Sequence, residues 1–198
     1  MIKRLTFVLL SALIFPDNIL KNFPDFINSE IIYSNDNLSL LFQEYDNDPF
    51  CKAIMNFNHE GVLIKKILES QEEYTKTFDR ISYLEKFKGD ISHIVFDFPF
   101  PFTDREYIVK SKHYKKNDID FYIYNATTDI EVSLNPQIIR LLDASGYWRV
   151  EPNGKNTILS YVWNGDLSGE IPDWTYKKIW IQQAKEIFEN FQTSLNEF

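Results

Sequence analysis

The sequence predicts an α+β domain in which a curved antiparallel β-sheet wraps around one long C-terminal α-helix. Three observations carry that expectation. Hairpin patterns follow one another between residues 81 and 167. An amphipathic helical period then runs from Asp173 toward the end of the chain. Between two of the strands lies Phe98-Pro99-Phe100-Pro101-Phe102. Proline fixes φ and donates no hydrogen bond, so this run cannot lie inside a ladder or a helix. It reads as an extended crossing, rich in aromatics, that ends one strand and aims the next around something large and apolar.

Taken in order, the chain opens with a basic start, Lys3-Arg4, and a nearly unbroken apolar run from Leu5 to Phe15. That run is short of the ~20 residues a spanning helix needs. It matches the basic and apolar regions of a secretory signal, so residues 1–15 are expected to be a signal peptide, with Ser11-Ala12-Leu13 as the nearest approach to a cleavage site. A retained helix packed on the domain is the alternative. Cleavage would make the protein periplasmic or secreted; retention would leave it cytoplasmic. Residues 16–37 are mixed and polar, with a short helix expected around Ile19–Phe26 and loop after it.

Leu38–Tyr45 and Phe50–Asn58 read as a strand pair joined at Asp46-Asn47-Asp48-Pro49. That turn lacks the glycine and glutamate of a calcium loop. The apolar positions 63, 64, 67 and 68 repeat with a helical period, giving a short helix that ends near Ser70. Three hairpins follow: Ile81–Phe87 with Ile91–Phe98, Glu106–Lys115 with Ile119–Thr127, and Ile138–Glu151 with Thr157–Leu167. Their turns fall at Lys88-Gly89-Asp90, Lys116-Asn117-Asp118 and Pro152-Asn153-Gly154-Lys155. In the last segment Tyr176, Ile179, Trp180, Ala184, Ile187, Phe188, Phe191 and Leu195 recur at three- and four-residue steps. Its length is roughly 33 Å, enough to cross a sheet, and Pro172 suits its first turn.

Composition sets the outer bounds. The chain has 198 residues, 44% hydrophobic and 25% charged, an ordinary globular balance for one domain. Aromatics make up 16%, which fits either a bulky strand-rich core or a lined cavity. A net charge of −8 argues against nucleic acid, whose affinity depends on neutralising phosphates. Cys51 is the only cysteine, so neither an internal disulfide nor a cysteine metal site can form. His59, His93 and His113 stand far apart in the sequence and in no metal-ligand spacing. Gly165-Asp166-Leu167-Ser168-Gly169 has the wrong order for a nucleophile elbow. No catalytic residue, metal or cofactor is expected.

Three local motifs resemble the START (StAR-related lipid-transfer) family of the helix-grip superfamily. They are Phe98-Pro99-Phe100-Pro101-Phe102-Thr103-Asp104-Arg105-Glu106, Gly146-Tyr147-Trp148-Arg149-Val150-Glu151-Pro152, and the stretch from Tyr161 through Asp166, Gly169 and Pro172 to Trp174. The resemblance spans residues 38–195, and 38–198 is taken as the START-like domain. In one departure, Phe78 stands after Tyr74 where the family carries tryptophan.

The resemblance implies a hydrophobic tunnel between the sheet and the C-terminal helix, holding one lipid, sterol or other apolar molecule. Strand alternation supplies candidates for its wall. Tyr107, Val109 and Ser111 share one face, opposite Glu106, Lys110 and Lys112; Trp148 and Val150 oppose Tyr147, Arg149 and Glu151. With Tyr122, Tyr124, Trp163, Ile179 and Trp180 these form the expected ligand-binding set. Arg140 joins it as an inward charge, with a structural ion pair as its alternative. Asp104 and Arg105 are expected to fasten the crossing.

The first functional expectation is non-enzymatic binding and transfer of a hydrophobic molecule by a monomer that touches membranes transiently. A cyclase or aromatase acting on an apolar polyketide-like substrate is the second, and a ligand-sensing interaction module the third.

Overall fold

The computed structural model describes residues 20–133, 135–169 and 171–197; the expected signal segment lies outside the described residues. The strands are β1 (Glu30–Ser34), β2 (Leu38–Tyr45), β3 (Asp48–Phe57), β4 (Ile81–Phe87), β5 (Ile91–Phe96), β6 (Arg105–Lys116), β7 (Ile119–Ala126), β8 (Ile139–Arg140), β9 (Ser145–Asn153) and β10 (Asn156–Asn164). The helices are α1 (Gly61–Glu69), α2 (Tyr74–Thr77) and α3 (Asp173–Asn196). All strands join one sheet in the order β1-β2-β3-β10-β9-β7-β6-β5-β4, with β8 paired in parallel to β6 and every other pairing antiparallel.

The expected hairpins are present, and their turn residues explain why. Asp46, Asn47, Asp90, Asn117 and Asp118 all adopt positive φ, as do Gly89 and Gly154. Asn, Asp and Gly tolerate that region better than other residues. The two hairpin systems meet where β10 pairs with β3, which places the first strands beside the last ones.

Four local expectations are corrected. Residues 16–37 were expected to hold a short helix and loop; the described part holds only a 3₁₀ turn at Leu20–Asn22 and then the edge strand β1. The single strand expected over 138–151 is two, because Ile139 N–H and Leu141 N–H donate to Asp104 O and Glu106 O and hold β8 against β6 before the chain turns into β9. Strand β5 ends at Phe96, ahead of the proline crossing, in which the Phe100–Pro101 peptide is cis. Pro172 is the N-cap residue of α3 and extended, just outside the first turn.

Apolar layers cover both faces of the sheet. On the concave face Trp180, Ala184, Phe188, Phe191 and Leu195 of α3 pack with Leu40, Phe57, Leu159, Ile64 and Leu68. The Phe188 ring stacks on Phe57 at 6.1 Å, and Phe191 meets Phe78 edge-on at 5.4 Å. Phe78 also meets Tyr74 edge-on at 5.1 Å. On the convex face Phe23 and Phe26 cover Phe50, Phe121, Ile123, Tyr147 and Val162. The buried Cys51 belongs to the first layer.

Candidate functional site

Toward the β5–β7 side of the concave face, α3 stands off the sheet and leaves a cavity of about 630 Å³. That volume lies within the range of small-molecule sites. Its sheet wall is an aromatic ladder set by period-two alternation on neighbouring strands. Tyr107 stacks on Tyr124 at 6.1 Å; Tyr161 stacks on Trp148 at 3.9 Å and on Trp163 at 4.9 Å. A 2.7 Å hydrogen bond between the Tyr124 and Tyr161 hydroxyls ties the two halves together. Register explains the alignment, since Tyr122 lies opposite Trp148 and Trp148 opposite Tyr161. The helix wall comes from Ile179, Gln183 and Ile187, one turn apart on α3. Tyr74, Phe78, Phe98 and Pro99 close one end.

Gly146 makes the tight strand approach possible. A Cβ there would lie 2.5 Å from the Tyr124 hydroxyl oxygen and collide with the Val162 carbonyl. The crossing is fastened by its charged residues. Asp104 Oδ1 accepts from Phe98 N–H at 2.9 Å. Arg105, 1% exposed, donates to the carbonyls of Thr103, Leu167 (2.7 Å) and Ser168 (3.0 Å), and its guanidinium lies over the Phe98 ring.

Burial raises the pKa of the cavity phenols. Tyr107 is pushed up to about 12. Tyr74, Tyr124 and Tyr161 are raised too, with burial as the leading cause in each. These groups stay neutral near pH 7. Charge gathers at the rim: Arg80 Nη2 donates to Glu186 Oε1 at 2.7 Å, and Arg80 Nε makes a second bond to Glu186 Oε2. That ion pair joins the chain just ahead of β4 to α3. Nearby, Asn190 Nδ2 donates to Asp79 Oδ2 at 3.0 Å.

Of the expected ligand-binding set, Tyr107, Val109, Ser111, Tyr122, Tyr124, Trp148, Trp163 and Ile179 line this cavity. Val150, Trp180 and Arg140 belong elsewhere. Val150 follows Trp148 on the same face of β9, but there α1 covers the sheet, and its Cγ1 lies 3.5 Å from the Cβ position of Gly61. Trp180 stacks on Phe42 at 5.2 Å and donates Nε1–H to Gly165 O at 2.9 Å, filling the core beside the cavity. Arg140 is bound to buried Glu106, Nε to Oε1 at 2.8 Å, and to the carbonyls of Val132 and Ser133. Glu106 alternates with Tyr107 and so faces away from the cavity; it also bonds His93 Nε2 at 2.7 Å. The structural ion pair is the arrangement Arg140 adopts.

Sequence reasoning missed Tyr161, although it shares strand parity with Trp163. It also missed Gln183 and Ile187, which continue the four-residue step from Ile179. His113 bonds Asp120 Oδ1 at 2.8 Å at the cavity's edge. Among the described residues no group of three or more His, Cys, Asp or Glu side chains could hold a metal ion. No helix among them is long and apolar enough to cross a membrane.

No protein-family model matches the sequence, and no curated protein does. Solved structures do match the fold. Human StAR-related lipid transfer protein 5 superposes with a TM-score of 0.81 at 13% identity, over 92% of this chain and 93% of that one. A STAR-related lipid transfer protein fragment from Xanthomonas axonopodis gives 0.73 at 13% identity, over 85% and 98%. Human STARD10 gives 0.73 at 13% identity, over 93% and 83%. The chain therefore has the helix-grip fold of the START lipid-transfer domains, with a ten-stranded sheet and a C-terminal helix.

Proposed function

We propose that this protein binds one lipid-like apolar molecule in the cavity between sheet and α3 and carries it between membranes without changing it. The observation that carries this reading is the cavity itself: about 630 Å³ of space walled by stacked aromatic and aliphatic side chains, with charge confined to its rim. Burying an acyl or ring system there removes apolar surface from water, at about 0.8 kcal/mol per CH₂. The likeness to solved START domains supports the same reading. Carriage is favoured over a cyclase because the phenols of the aromatic wall are held neutral by burial and are weak proton acceptors. Cargo would enter by movement of α3 or the Phe98–Phe102 crossing, and a brief membrane contact would provide the apolar surroundings for that step.

Native mass spectrometry of the protein purified from its own host, followed by organic extraction, tests the proposal. The expected result is one co-purifying apolar molecule per chain, transferable between vesicles. A protein that stays empty across a lipid panel and excludes apolar dyes would overturn it.

A further inference from the structure

Five tyrosines line the cavity, and four of their hydroxyls are already bonded. Tyr74 donates to Leu68 O at 2.8 Å, Tyr122 donates to Glu69 Oε1 at 2.6 Å, and Tyr124 and Tyr161 share one bond at 2.7 Å. The fifth, the Tyr107 hydroxyl, has no hydrogen-bond partner among the described residues. It is not sealed into the packing either. The buried side-chain atoms left unbonded are Gln43 Oε1, Trp163 Nε1 and Gln183 Oε1, and the Tyr107 oxygen is not one of them. Yet Tyr107 lies deep, since burial alone pushes its pKa up to about 12. A hydroxyl that is deep, unbonded and still open to a small molecule faces the internal space. Its ring is held on both sides, by Phe96 at 5.5 Å and Tyr124 at 6.1 Å, so the hydroxyl is positioned before anything binds.

We propose that the Tyr107 O–H docks the polar group of the cavity's occupant by donating to it, and that this group is an uncharged acceptor such as an ester or ketone carbonyl. The inference rests on the carrier reading above and specifies what is carried. Donation is the role a neutral phenol fills best, because its oxygen is a weak proton acceptor. The surroundings disfavour a charged group. No ionised side chain contributes to the shift at Tyr107. The cations of the lining are engaged or exposed: Arg80 is bonded to Glu186, and Lys86, Lys112 and Lys178 face solvent. A carboxylate or phosphate at Tyr107 would therefore lose its hydration with no cation beside it. A bare hydrocarbon would leave the O–H unmatched.

The test uses the full chain, with diphenylhexatriene as a hydrocarbon dye reporting the cavity and methyl palmitate, heptadecane and palmitate at pH 8 as competitors. Tyr107→Phe removes only an unbonded hydroxyl, so the variant should melt no lower than native protein. It should bind methyl palmitate about tenfold more weakly and heptadecane with unchanged affinity. Native protein should prefer methyl palmitate to palmitate. In infrared spectra the ester carbonyl stretch should fall on binding to native protein, relative to its position in hexane, and return in the variant. Equal loss for ester and hydrocarbon, no loss for either, or tighter binding of palmitate overturns the proposal while leaving the carrier reading intact. So does an unshifted carbonyl, a shift that survives Tyr107→Phe, or failure of methyl palmitate to displace the dye. Should the variant not fold, the infrared shift and the ester–palmitate comparison on native protein decide. Failure of the dye and every competitor to bind overturns the carrier reading, and the Tyr107 proposal with it.

Discussion

Gly146 shows how much of the site depends on single atoms. Its absent side chain lets β9 pass close to the Tyr124 hydroxyl and the Val162 carbonyl. Gly146→Ala should destabilise the fold by about 1–3 kcal/mol, the usual range for overpacking, and melting curves would show the loss. It should also break the Tyr124–Tyr161 hydrogen bond that closes the ladder. At this scale the sequence was informative about facing and silent about neighbours. Alternation identified Tyr107, Val109, Ser111 and Trp148 as one-sided, and they do share the cavity. It could not tell Trp148 from Val150, because only the placement of α1 decides which part of a strand meets a helix and which meets open space. Arg140 was equally opaque, since Glu106 lies far along the chain and meets it only through the β8–β6 pairing.

Among the elements, α3 has two neighbouring faces. One packs on the core through Trp180, Ala184, Phe188 and Phe191, and the other presents Ile179, Gln183 and Ile187 to the cavity. The Arg80–Glu186 pair fastens that second face at the rim. Hydrogen bonding from Arg80 holds the Glu186 carboxyl below its ordinary value of 4.5. A carboxyl lowered by folding stabilises the native state above that ordinary value and ceases to do so as pH falls through the lowered one. Glu186→Gln should therefore cost about 0.5–1 kcal/mol at pH 7, a figure kept small by solvent screening at this half-exposed site. The difference from native protein should vanish in acid. If the pair is a clasp, stopped-flow release of Nile red should be faster in the variant, and an unchanged rate would show that the opening lies elsewhere. The hairpins and α3 were readable because turn residues and helical periodicity are local signals. Strand β1 was not, because its exposed edge shows no alternation and its order comes from pairing with β2.

For the whole molecule, the buried phenols set an alkaline limit. Tyr74, Tyr107, Tyr124 and Tyr161 all have pKa values raised above the ordinary 10.0. Folding thus favours their neutral form, and that contribution is complete below about pH 10 and lost as pH rises through the raised values. Spectrophotometric titration should show the cavity phenols ionising only together with unfolding, above about pH 11. Phenolate formation by these residues in a protein still folded at pH 10 would contradict their enclosure. The general architecture was legible in the order of hairpins and helix, but the cavity's dimensions were not. They depend on how far α3 stands from the sheet, and core side chains such as Phe57 and Phe188 fix that distance.

The aromatic patch on the sheet's convex side bears on how the chain can be processed. Phe23 and Phe26 shield Phe50, Phe121 and Tyr147, and the Tyr45 hydroxyl donates to Lys21 O at 2.8 Å. Leu20 packs on the same layer and its carbonyl accepts from Phe23 N–H, so a peptidase that trims the N-terminus has a last permissible cut ahead of Leu20. Trimming near residue 15 would preserve the shield. A cut beyond Phe26 would bare an aromatic surface and should turn the product toward self-association, visible as a shift in light scattering.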